Sequence, residues 1–109
     1  MYTHPQRRSD KLTQQLRGEA GRWLRSLREQ QSLSQRELAN RVGTEYYTFV
    51  SQLENGRGRI PPDRYRVWAE ALGVDARTFV QGLMYFYDPV TYEILFGAER
   101  PAMLTAVNG

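Results

Sequence analysis

The chain contains no cysteine and only one histidine, His4, among its 109 residues. Without thiols it can form neither a disulfide nor a thiolate metal site, and a reducing cytoplasm is the expected setting. One histidine near the amino terminus offers neither a metal cluster nor a catalytic base with an orienting partner. No catalytic residue, metal or cofactor is therefore expected, and the chain is not expected to be an enzyme. Long apolar runs are missing as well. None approaches the roughly 18 residues that a membrane span requires, and the opening MYTHPQRRSDK has no apolar signal core, so a soluble protein away from the membrane is expected. The length suits one domain with a modest core, too short for a separate catalytic or sensor domain.

What is present is uneven charge. Residues 1 to 30 carry seven Lys/Arg against three acids, residues 31 to 66 six against four, and residues 67 to 109 two against five. The basic character belongs to the first two thirds. That suits a polyanion on one side and a different partner on the other.

Apolar residues recur at helical spacing along most of the chain. Leu12, Leu16, Ala20, Trp23, Leu24 and Leu27 form one face of a segment from about 10 to 30. Gly18 and Gly21 lower its helical propensity, so a break is expected there, with the firmer helix over about 19 to 30. Ser34 and Glu37 make an S-x-x-E capping box for a second helix that Gly43 ends. Thr44 is the expected cap of a third helix over about 45 to 55, with Tyr46, Phe49, Val50 and Leu53 inward. Tyr47, Thr48, Ser51, Gln52 and Asn55 point the other way. A fourth helix is expected over 62 to 72 after the double proline. A fifth, over 76 to 87, is capped by Asp75. Asp88-Pro89 opens either a short sixth helix or a strand through VTYEILF.

Two short helices joined at a glycine, with small Ala39 available where they cross, have the form of a helix-turn-helix. The segment LSQRELANRVGTEYYTFVSQLENGRGRIPP closely resembles the repressor-type helix-turn-helix family of phage repressors, Cro proteins and XRE-like regulators. Matching positions are Leu33-Ser34-Gln35, Glu37-Leu38-Ala39, Gly43, Ser51, Leu53-Glu54 and Gly56, with GRWLRSLREQ before and YRVWAEALGVD after. Between Gly43 and Leu53 the chain has one residue more than the commonest family spacing, which alters the turn or the start of the third helix. Counting back from Ser51-Leu53-Glu54, the resemblance places Tyr46, Tyr47, Thr48 and Gln52 where the family reads base edges. It places Gln35 and Ser51 where the family meets phosphate.

The chemistry of these residues agrees. A major groove admits one helix whose outward side chains offer donors and acceptors; glutamine can pair in bidentate fashion with adenine, and threonine and tyrosine add hydroxyl and ring contacts. Arg36, Arg41, Arg57 and Arg59 bracket that face, so Arg36, Arg57 and Arg59 join Gln35 and Ser51 as expected phosphate contacts.

The expected architecture is all-α. It comprises an amino-terminal extension (1–18), a five- or six-helix repressor-type helix-turn-helix domain (19–76), a helical dimerisation segment (77–97) and a flexible tail (98–109). The last third holds more large apolar groups than a domain this small can turn inward, and Met84, Phe86, Tyr87, Ile94, Leu95 and Phe96 are the expected dimer contacts. The leading expectation is a sequence-specific transcriptional regulator, a homodimeric repressor on a pseudo-palindromic site in double-stranded DNA. The alternative is the antitoxin of a toxin–antitoxin pair, with the same segment covering a toxin.

Overall fold

The structure, a computed structural model, describes residues 5–44 and 46–106; His4, Glu45 and the last three residues lie outside these. Seven α-helices occur among the described residues: α1 (Pro5–Gln30), α2 (Gln35–Val42), α3 (Tyr47–Glu54), α4 (Tyr65–Ala71), α5 (Ala76–Tyr87), α6 (Pro89–Phe96) and α7 (Ala102–Ala106). A 3-10 turn at Pro62–Arg64 leads into α4. The segment after Asp88 is helix, which resolves the choice between helix and strand: the Asp88 carboxylate accepts from the Thr91 N–H, and Pro89 stands at the first helical position.

The core lies where α1, α2, α3, α4 and α5 converge. Leu24, Leu38, Val42, Val50, Ile60, Leu72, Phe79 and Leu83 are almost wholly enclosed. Burying each such side chain stabilises the fold by about 1.5–3 kcal/mol. Trp23 stacks on Phe79 with ring centroids 5.6 Å apart, and Phe49 meets Trp68 edge-on at 6.3 Å.

Four expectations are corrected. First, α1 runs unbroken through Gly18 and Gly21, so residues 5–18 continue the helix into the domain. Gly21 is there for proximity: a Cβ at this position would lie 2.4 Å from the Glu54 carbonyl oxygen and 2.6 Å from that of Leu53. The carboxy-terminal end of α3 rests directly on the α1 backbone. Second, α3 begins at Tyr47, two residues later than expected, and Thr44 does not cap it; Tyr46 is the N-cap and supplies no side-chain bond. The extra residue is thus absorbed in a longer turn.

Third, the segment from Ala98 onward is not a loose tail up to residue 106. Pro101 and Leu104 are buried, and Arg100 Nη2 lies 3.2 Å from Glu19 Oε1 on α1. Fourth, the apolar surplus of the last third divides. Phe86 is only 4 % exposed and packs on Trp23 at 5.8 Å, Tyr87 leans on the same core, and Tyr92 is buried with its hydroxyl donating to the Glu99 carbonyl at 2.9 Å. Phe86 and Tyr87, expected at a dimer face, therefore belong to this chain's own packing, and Met84 is half-buried. Val90, Ile94, Leu95 and Phe96 remain 70 %, 78 %, 60 % and 48 % exposed.

Candidate nucleic-acid interface

The turn between α2 and α3 is closed by local chemistry at both ends. Ser34 Oγ accepts from the Glu37 N–H at 3.0 Å, and Glu37 Oε1 accepts from the Ser34 N–H at 2.8 Å. That backbone bond holds the Glu37 carboxyl below the usual carboxylate range. Gly43 follows α2 at φ 74, a left-handed conformation that costs glycine little, and its N–H closes on the Asn40 carbonyl. Arg64 also donates to the Val42 carbonyl, so the 3-10 turn braces the end of α2.

α3 is locked from behind by a buried ion pair. Arg28 Nε and Nη2 reach Glu54 Oε2 and Oε1 at 2.6 and 3.0 Å, while Arg28 Nη1 donates to the Leu33 carbonyl at 2.7 Å. The bidentate carboxylate holds the proton on Arg28 more firmly than usual, against the opposing cost of burial. One guanidinium thereby ties α1 to both the entry of α2 and the end of α3.

With its inner face fixed, α3 turns a polar stripe outward. Val50 and Leu53 are buried, and Tyr47, Thr48 and Gln52 are exposed. Tyr46, read from the sequence as largely core as well as base-reading, is 65 % exposed because it precedes the helix. Ser51 is half-buried beside this stripe. The Arg36 guanidinium lies over the Tyr47 ring, 4.3 Å from its centroid, so α2 fixes one of the outward aromatics through a cation–π contact.

The other expected phosphate contacts differ in freedom. Gln35 is half-buried and donates through Nε2 to Glu54 Oε1 at 3.1 Å, joining the internal lock. Its backbone N–H, at the first turn of α2, is among the groups a helix leaves for an outside acceptor. Arg57 is exposed and has no side-chain partner among the described residues. Arg59 is held: it donates to the Tyr65 hydroxyl at 3.1 Å and sits over the Tyr87 ring at 4.7 Å. Arg17 covers the same ring at 5.2 Å and donates to the Gly58 carbonyl, and the Tyr87 hydroxyl accepts from the Ile60 N–H at 3.3 Å. The basic linker after α3 is thus pinned by residues of α1 and α5. Burial pushes the Tyr87 hydroxyl above the usual tyrosine range.

A helix-turn-helix family profile matches residues 24–79, half of the chain. The chain belongs to the XRE/Cro-type helix-turn-helix family. As a member of this family it is a DNA-binding transcriptional regulator. A search of curated proteins finds no match. The helix-turn-helix proper is α2, the turn and α3, and the matched residues extend from α1 into α5. No helix among the described residues is long and apolar enough to cross a membrane.

Two parts of this helix-turn-helix escaped the sequence reading. Glu54 stood out only as a motif position, because its partner Arg28 is 26 residues away and no local pattern links them. The Arg17–Tyr87–Arg59 stack likewise joins three distant segments.

Proposed function

We propose that the protein reads a specific duplex site with α3 and acts as a homodimeric repressor. The observation that carries this is the outward stripe of Tyr47, Thr48 and Gln52 on α3, a helix fixed from behind by the Arg28–Glu54 pair, with exposed Tyr46 at its N-cap. Gln52 provides an amide that can pair with an adenine edge, and the tyrosines and Thr48 provide hydroxyl and apolar contacts. Arg36, Arg57, Arg59, Ser51 and the first turn of α2 at Gln35 supply the backbone contacts that set register without reading sequence.

The homodimer rests on the exposed face of α6. Val90, Ile94, Leu95 and Phe96 form an apolar surface in a segment of acidic balance, unsuited to DNA, and a second copy covers the same face on both chains. A pair of reading helices about 34 Å apart then matches two half-sites one turn of DNA apart. Repression follows from occupying a promoter.

Selection of bound sites from random duplex DNA tests the proposal. The expected product is two inverted half-sites with centres about 10 base pairs apart. An isolated half-site, with the purified chain sedimenting as a monomer, would contradict the homodimer and favour an unlike partner such as a toxin. No enriched motif at all would contradict sequence-specific reading.

A further inference from the structure

Trp23 is enclosed by its own chain yet chemically incomplete. Its ring lies between Phe79 and Phe86, and its benzo edge abuts Gly82, where a Cβ would come 2.6 Å from the ring. Its indole Nε1 is buried and has no hydrogen-bond partner among the described residues. An unmatched buried donor costs about 1–3 kcal/mol.

Trp23 also forms part of the wall of a cleft of about 310 Å³, shared with Glu19, Arg22, Ser26 and Arg100. Phe86 and Leu104 complete it with apolar surface. All of these residues come from α1, α5 and the carboxy-terminal segment, and none from α2 or α3. Glu19 and Arg100 neutralise one another at 3.2 Å, and Arg100 is further placed over the Tyr85 ring at 5.3 Å. Arg22 is exposed and makes no ion pair among the described residues. The cleft therefore carries one uncompensated positive charge beside an apolar wall. Its volume is at the lower end of small-molecule sites, about 300–1,000 Å³.

We propose that this cleft binds a small organic anion, a carboxylate on an apolar body. The carboxylate pairs with Arg22 and the edge of Arg100, and the body lies on the Trp23 ring, Phe86 and Leu104. Because the site spans α1 and the segment around Leu104, an occupant also ties that segment down. The inference does not depend on what α3 reads, and it is tested without DNA.

The experiment is an NMR titration of the full chain, following the two tryptophan indole N–H resonances, with Trp23→Phe used to assign them. The probes are benzoate, phenylacetate, indole-3-acetate and octanoate, with benzamide and inorganic phosphate as controls. At least one carboxylate is expected to shift the Trp23 indole resonance saturably while that of Trp68, in the core, stays still. Arg22→Gln, at an exposed position, is expected to weaken that binding about tenfold or more, the scale of one charge-assisted hydrogen bond. Three results would each overturn the proposal: no saturable shift with any of the carboxylates, equal binding to Arg22→Gln, or benzamide or phosphate binding as well as the best carboxylate.

Discussion

α3 and α6 are both eight-residue helices, and they handle their surfaces in opposite ways. α3 has no side-chain cap, yet its apolar residues are sunk into the core, its end rests on Gly21, and what it exposes is hydrogen-bonding chemistry. α6 has an aspartate cap and a proline at its first position, yet only Tyr92 is buried while Val90, Ile94, Leu95 and Phe96 stay outside. Local signals form a helix in both cases. Whether the helix is finished within one chain is decided by distant residues: Arg28 and Gly21 complete α3, and among the described residues nothing covers the outer face of α6.

The strongest way to break this contrast is to unlock α3. Glu54→Ala leaves Arg28 buried and unpaired, and is expected to lower the unfolding free energy in urea by about 3–5 kcal/mol. Ile94→Glu, made on the uncovered helix, should change that quantity in the dilute chain by no more than about 0.5 kcal/mol. Equal losses from the two would erase the distinction.

A second test addresses what α6 lacks. Ile94→Glu with Leu95→Glu is expected to give a monomer by sedimentation. Affinity for a two-half-site duplex should fall by about 10²-fold or more, as two linked binding events become one. Single half-site binding should persist.

Smaller effects concern the linker between the two regions. Tyr87→Phe removes the acceptor for the Ile60 N–H and is expected to cost about 1 kcal/mol near neutral pH. Burial raises the Tyr87 value above its ordinary 10, so above that pH the unfolded chain releases a proton that the folded chain retains. Stability that Tyr87 contributes is therefore intact below the unfolded value and is lost as pH rises through the folded one. Tyr87→Phe should flatten that alkaline decline in a pH series of urea midpoints. The smallest expected effect is that of Arg57→Ala. It should weaken all duplexes alike and reduce the slope of log affinity against log salt by about 0.9, with base preference unchanged.

The helix-turn-helix was legible because its signals are local: the Ser34–Glu37 box, the left-handed Gly43, and the three- and four-residue spacing of Val50 and Leu53. Periodicity misled at Gly18 and Gly21, where propensity alone suggests a break and close approach of α3 is the actual constraint. It misled again at Tyr46, whose inward place in a helix disappears once the longer turn puts it ahead of the first residue. The division of the carboxy-terminal aromatics could not be read from spacing. Phe86 is buried by Trp23, 63 positions away, and Tyr92 by folding α6 back on α5. The same limit hid the return of Arg100 and Leu104 to α1.

The claim that the outward face of α3 carries sequence information is tested most directly by parallel site selection with the wild-type chain and Gln52→Ala. The account predicts the same half-site spacing for both, with preference lost at one or two base pairs and a cost of about 1–3 kcal/mol on the best wild-type site. Recovery of the wild-type motif by Gln52→Ala, undiminished at every position and bound as tightly, would contradict it.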